Sequence, residues 1–335
     1  MSLSKPPTRG QRTANTLLRA ASRSAACALL LLVIAIALTI GAEAYPAIRQ
    51  HGLGFLLGRE WDANTNTYGI LPEIWGTLYS SLLALGLASV SGIAVAIFIT
   101  EGYLATTLTA LLVRFGARDN GLWSGLPARA EHVLRTLIQL LAAIPSVVYG
   151  LWGIFVVIPA IRPACNAIHE AIGGIPFFGT PLSGPGILPA AIVLSIMILP
   201  TIAAIATDAL HAVPRRVREA SLGLGATRWE TLLHVVLPSA STGLFGAVVL
   251  AFGRALGETM ALAMLVGNAS AISLSLFSPA NTLAALLANS FPEAGATELP
   301  ALMYAALALL CITLLVNMMG TAIMQRATRY EGSRA

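Results

Sequence analysis

The sequence predicts an all-α integral membrane protein with six spanning helices, and three observations carry that reading. Of 335 residues, 56% are hydrophobic and 10% charged, with a mean hydropathy of +0.79. A soluble domain carries about 25% charged residues, so the apolar excess here needs lipid to face. Six apolar runs approach or exceed the roughly 20 residues that cross a bilayer. Most of the basic residues fall in the connections between those runs rather than inside them.

The first run covers residues 25–45, after a basic tail (1–24) that holds Lys5, Arg9, Arg12, Arg19 and Arg23. Ala42 and Ala44 offer a small-x-small cleavage pattern, but the apolar stretch exceeds the roughly 7–15 residues of a signal core. An uncleaved anchor fits better. Residues 46–72 are polar and aromatic, a folded loop or short helix that completes a segment 25–72. The remaining spans lie in a core of residues 73–323. The second span is 74–100. A connection at 101–135 carries Arg114, Arg118, Arg129 and Arg135, and its first part (103–113) is apolar enough to extend the span or lie on the membrane. The third span, 136–161, is interrupted by Pro145 and followed by a Pro/Gly-rich loop to 186. The fourth is 187–209, the fifth 239–266 and the sixth 300–323, with a short tail at 324–335.

The arginines set an orientation. Connections on the side of the N-terminus hold Lys5 and fifteen arginines, whereas the opposite side holds Arg49, Arg59 and Arg162. The excess of basic residues marks the cytoplasmic side, so both termini are expected there. The net charge of +5 therefore reflects topology rather than nucleic-acid binding. Cys27, Cys165 and Cys311 suggest neither a disulfide framework nor a zinc site, and the five histidines show no paired metal-binding spacing.

One connection is long and patterned. Residues 213–238 read VPRRVREASLGLGATRWETLLHVVLP within a coupling loop at 211–238. Apolar residues recur at helical spacing at Val217, Ala220 and Leu224, then at Leu232, Leu233 and Val236. Gly223 and Gly225 give the chain a place to turn. The expectation is two short amphipathic helices with a glycine bend, either lying on lipid headgroups or docking a soluble partner.

The spacing of Glu219, Ala220 and Gly225 with the later Leu237 and Pro238 resembles the EAA loop of ABC-importer permeases. Further stretches resemble the PstC family of phosphate permeases: EWDANTNTYGILPEIWGTL at 60–78, LLAAIPSVVYGLWG at 140–153, GRALGETMALAMLVGN at 253–268 and NTLAALLANSFPEA at 281–294. Two features depart from that pattern, a longer loop at 102–135 and Gln139 where a glutamate is expected. The resemblance implies the type I, MetI-like permease architecture. Glu219, Ala220, Gly225, Leu237 and Pro238 would then couple to an ATPase. It also implies a heterodimer with a PstA-like permease, two ATPase subunits and a periplasmic phosphate-binding protein, in a bacterial inner membrane. This chain would bind no cofactor, and ATP would be used by the partner subunit. A P-loop needs a lysine to reach the phosphates, and Lys5 is the only lysine.

Arg254 and Glu258 fall inside the fifth run, four residues apart and so on one helix face. A charge at the bilayer centre costs roughly 2.5–3.5 kcal/mol on insertion scales, which makes such residues functional candidates. They read either as a self-neutralising structural pair or as the lining and gate of an anion route. Gly253 and Gly257 offer a neighbouring small-xxx-small contact. Trp61 and Asp62 suit an interfacial loop or a contact with a binding protein. Competing readings are a permease for sulfate or molybdate, a stand-alone secondary transporter, and a membrane enzyme. The patterned loop argues against the second, and no clustered catalytic set supports the third. The expected topology has a direct test: cysteine introduced near Glu170 or Glu293 should react with an impermeant thiol reagent from outside. Cysteine near Arg228 should react only after the membrane is opened, and the reverse pattern refutes the orientation.

Overall fold

The computed structural model describes residues 9–62, 65–102 and 126–332. Among the described residues, six helical segments are long and apolar enough to cross a membrane: Thr13–His51, Leu71–Thr100, Ser146–Ile172, Ile187–Ala212, Arg228–Leu256 and Leu299–Arg326.

The second and fourth spans form the centre. Ser80, Ala84, Ala88, Gly92 and Ala96 recur every fourth residue along the second span, and all are buried. Residues four apart lie on one helix face, so this face has almost no side-chain bulk and the fourth span packs directly on it. A Cβ on Gly92 would come within 2.9 Å of Ile202. The fourth span is mostly buried and contributes Ala190, Leu194, Ile198 and Ile202 to the main core.

The first span is peripheral. Its helix, Arg9–His51, begins well before residue 25 and runs through Pro46. Leu29 to Ile34 are exposed along it, while Ala44 and Ala47 pack against Leu302, Tyr304 and Ala305 of the last span. The segment after it is folded. It holds a short helix, Gly54–Leu57, and a two-stranded hairpin in which Trp61 pairs with Tyr68 and Asp62 with Thr67. Trp61 packs edge-on to Phe55 and Tyr68, and its indole donates to Glu298 at 3.2 Å. Asp62 accepts from Thr65 at 3.1 Å. Trp61 and Asp62, which suit either an interfacial loop or a contact with a binding protein, thus both make structural contacts inside this hairpin.

Two expected spans differ from the structure. The third lies later than residues 136–161. Pro145 is extended (φ −60, ψ 141) and separates the helix Leu126–Ala143 from Ser146–Trp152, so it breaks the chain rather than kinking a span. The span then continues through Gly153–Val157 to Ile158–Ile172, which places Arg162 on a helix where a loop was expected. Residues 126–135 are helical too, whereas the apolar stretch 103–113 lies outside the described residues. The fifth run is broken as well. Its main helix ends at Leu256, Gly257 caps it, and a separate short helix covers Met260–Leu265.

Both of these spans contain a π turn, at Gly153–Val157 and at Leu232–Val236. Each is followed two residues later by a proline, Pro159 or Pro238. Proline has no N–H to give its helix and its ring crowds the carbonyl four residues back. A widened turn just before it relieves that conflict. Gly150 and Gly153 allow Met264 and Leu265 to approach; a Cβ on either would come within 2.6 Å of those side chains. Packing thus accounts for both glycines.

The loop between the Met260–Leu265 helix and the helix Leu283–Ser290 is fastened to the start of the second span. Ser270 donates to the buried Glu73 at 2.6 Å, Trp75 donates to the Ser273 carbonyl at 3.0 Å, and Tyr79 donates to the Leu274 carbonyl at 2.8 Å. Gly76 lies directly under the Asn281 carbonyl, with no room for a Cβ. Gly76→Ala should therefore lose about 1–3 kcal/mol through overpacking. Gly86→Ala, on the same helix with open space around it, should be neutral or stabilising by about 1 kcal/mol. Thermal unfolding in detergent would check the contrast, and equal behaviour of the two variants would contradict this packing.

Candidate functional site: the exposed turn and the arginine of the fifth span

The patterned segment folds as two short helices, Arg215–Gly223 and Arg228–Thr231, with a bend between them. The bend needs Gly225. Its φ is +92 with nothing within 4 Å of a built Cβ, so conformation and not space demands glycine. A capping box starts the second helix: Glu230 N–H donates to the Thr227 hydroxyl at 3.2 Å, and the Thr227 N–H donates to Glu230 at 2.8 Å. Ser221 and Thr231 share a hydrogen bond of 2.9 Å that closes the two helices on each other.

One side of this segment is anchored. Leu232 and Val236 are buried with Ala96, Ala206, Leu210 and Val213. Arg218 pairs with Glu101 at the end of the second span and donates to the Leu210 carbonyl of the fourth at 2.9 Å. The other side is bare. Val217, Glu219, Ala220, Leu222, Leu224 and Trp229 are exposed, Leu224 by 90%. The predicted apolar row at 217, 220 and 224 thus points away from the protein, while of the second row only Leu233 does. Leu237 is half-buried and Pro238 exposed at the start of the fifth-span helix. The coupling residues expected by resemblance lie along one stretch of chain, from the first short helix (Glu219, Ala220) through the bend (Gly225) to the start of the fifth-span helix (Leu237, Pro238). Arg218 and Glu101 were not singled out by sequence reasoning, because no local pattern links residues so far apart in the chain.

The two charges of the fifth run are not brought together. Arg254 lies in the last turn of its helix, and Glu258 lies beyond the Gly257 cap, so the four-residue spacing no longer measures one helix face. Among the described residues the ion pair formed is Arg218–Glu101, and Arg254 and Glu258 form none. The structural-pair reading of Arg254 and Glu258 is corrected accordingly. Arg254 is exposed and donates to the Thr201 hydroxyl of the fourth span at 3.1 Å. Glu258 is half-buried. The glycine contact also differs. Gly253 meets Asn317 and Gly320 meets Val249, so the last span packs there, whereas a Cβ on Gly257 would meet only the Arg254 and Gly253 carbonyls of its own helix.

This is the architecture of an importer permease. The description "Binding-protein-dependent transport system inner membrane component" matches residues 121–329, and the chain belongs to that family. Within it the chain belongs with the PstC permeases. It is 35% identical over 325 residues to the phosphate transport system permease protein PstC of Mesorhizobium japonicum, covering 95% of this chain and 92% of that one. It is 36% identical over 310 residues to that of Haemophilus influenzae, covering 91% and 90%. Among solved structures, the MetNI methionine ABC transporter in an inward-facing conformation shares the fold, with a TM-score of 0.51 at 18% identity over 77% of this chain and 95% of that one. A bacterial ABC transporter involved in alginate import has a TM-score of 0.51 at 15% identity, covering 93% and 99%. The chain is a multi-pass membrane protein of this fold.

Arg218 reaches two acceptors with one planar guanidinium, which a lysine cannot reproduce. Arg218→Lys should keep part of the Glu101 attraction and lose the Leu210 contact; Arg218→Ala should lose both. Charge-assisted hydrogen bonds contribute about 1.5–3 kcal/mol. Proteolysis near residues 215–231 should therefore quicken in the order wild type, Lys, Ala. An unchanged cleavage rate in both variants would show that this anchor is dispensable.

Proposed function

We propose that the chain is the permease subunit of an ATP-driven phosphate importer in a bacterial inner membrane, with both termini cytoplasmic. It works beside a second, PstA-like permease, with two ATPase subunits below and a periplasmic phosphate-binding protein above. The observation that supports this most directly is the exposed two-helix turn with its left-handed Gly225. An apolar row with Leu224 90% exposed, held rigid on one side and bare on the other, suits a groove in a partner. The ATP is hydrolysed elsewhere, since a chain whose only lysine is Lys5 cannot complete a P-loop.

The anchoring suggests how force is passed on. Closure of the ATPases displaces the turn carrying Glu219, Ala220 and Gly225. Arg218 transmits that displacement at once to the ends of the second and fourth spans, and Leu237 and Pro238 transmit it to the fifth. These spans carry Thr201 and Arg254. An anion crossing a low-dielectric layer needs a fixed positive partner, and Arg254 supplies it, with Glu258 beyond the helix end as a gate.

Phosphate uptake into cells lacking their own transporter, with this gene and its neighbours, tests the assignment; uptake of sulfate or molybdate instead would overturn it. Gly225→Val should disturb the bend, because a β-branched residue tolerates positive φ poorly. Glu219→Lys places the wrong charge on the docking face. Both should reach normal abundance and fail to stimulate the ATPase, and normal uptake by both would refute the coupling role. Arg254→Gln should also reach normal abundance, since it breaks no ion pair, yet lose phosphate uptake.

A further inference from the structure

A cleft of about 340 Å³ lies between the helix Leu126–Ala143 and the fourth span. Its polar lining is Arg135, Gln139, Thr201, Thr207 and Asp208, set among apolar side chains that include Ile99, Ile138 and Pro200. Arg135 and Gln139 are one turn apart and share a helix face. Thr201 and Asp208 are about two turns apart on the opposite wall. Thr201 is the residue that accepts from Arg254, so the cleft begins where the proposed anion route passes that arginine.

The chemistry of the lining is selective. Arg135, Gln139 and the two threonine hydroxyls are donors, suited to an oxyanion. Asp208 is an acceptor, and on its own it would repel any anion. Arg135 and Asp208 form no ion pair with each other, so both remain available to a third group. A ligand that satisfies both must present negative oxygens to Arg135 and a hydroxyl proton to Asp208. Phosphate at neutral pH retains a P–OH; sulfate has no proton to give. We infer that this cleft is a holding site for protonated phosphate on the inward half of the route, and that Asp208 excludes fully deprotonated oxyanions by leaving a carboxylate facing them unpaired. The inference rests on the route through Arg254, but its test is separate.

The test uses the whole importer, assembled in detergent without ATP, in a background lacking Cys27, Cys165 and Cys311. Ala204, on the cleft wall, is replaced in A204C and its alkylation by a maleimide is timed. Inorganic phosphate should slow alkylation and sulfate at the same concentration should not. With Asp208→Asn added, the two anions should protect alike, with the preference for phosphate falling by about tenfold, the size of one charge-assisted hydrogen bond. With Arg135→Gln, neither should protect. Ala142→Cys on the facing wall repeats the measurement if A204C fails to assemble. Equal protection by both anions in the Asp208 background, no protection by phosphate, or an undiminished preference in Asp208→Asn would each overturn the inference. If Arg254→Gln abolishes uptake while phosphate leaves A204C unprotected, the route stands and the cleft does not. If Arg254→Gln retains uptake while A204C is protected, the cleft stands and the route through Arg254 does not.

Discussion

The rest of the structure depends on how closely the second span approaches the fourth. Ser80, Ala84, Ala88, Gly92 and Ala96 present backbone and small side chains to the fourth span along its whole length. In lipid there is little hydrophobic gain in bringing two apolar helices together, so association relies on close packing and on hydrogen bonds. A face free of bulk is what makes close packing possible. The third and fifth spans then pack around this pair, as the shared core of Tyr149, Val157, Leu194, Ile198, Ala251 and Leu262 shows, and the sixth packs on the first and fifth.

That central pair also links the two ends of the molecule. At one end Arg218 ties the exposed turn to Glu101, which caps the second span, and to the Leu210 carbonyl in the last turn of the fourth. At the other, Glu73, Trp75, Gly76 and Tyr79 at the start of the second span hold the loop that follows the broken fifth span. In the coupling proposed above, a displacement of the turn would reach the same fourth span that carries Thr201. The breaks in the third and fifth spans fall beside this pair. Pro145 and Gly257 interrupt helices there, and the π turns before Pro159 and Pro238 absorb the missing donors. Interrupted backbone inside a membrane protein is tolerated where it is buried in protein or lines a cavity.

The existence of six spans and the location of the exposed turn were legible in the sequence, because both rest on local chemistry. Long apolar runs need lipid, and a charged, glycine-interrupted segment between them needs water. Gly225 was legible for the same reason: a bend between two short helices needs a residue at ease with positive φ. The family was legible from motifs. The extent of the third and fifth spans was not. Hydropathy counts apolar residues and does not say whether Pro145 kinks a helix or separates two, or whether Gly257 continues a helix or caps it. The aromatic hairpin around Trp61 was equally hidden, since Glu298 and Tyr304 come from the far end of the chain.

By itself, then, the amino-acid order determined which segments enter the membrane, which segment stays outside it, and which residue types each must carry. Those are transfer and conformational preferences of single residues and their neighbours. Tertiary structure alone decided which charges meet. Arg254 and Glu258, adjacent on a helical wheel, are parted by a cap. Arg218 and Glu101, far apart in the chain, form an ion pair, and Arg135 and Asp208 face one cleft. Pairing depends on where a helix stops and which neighbour it packs against, and both are set by contacts between distant residues that no local window contains.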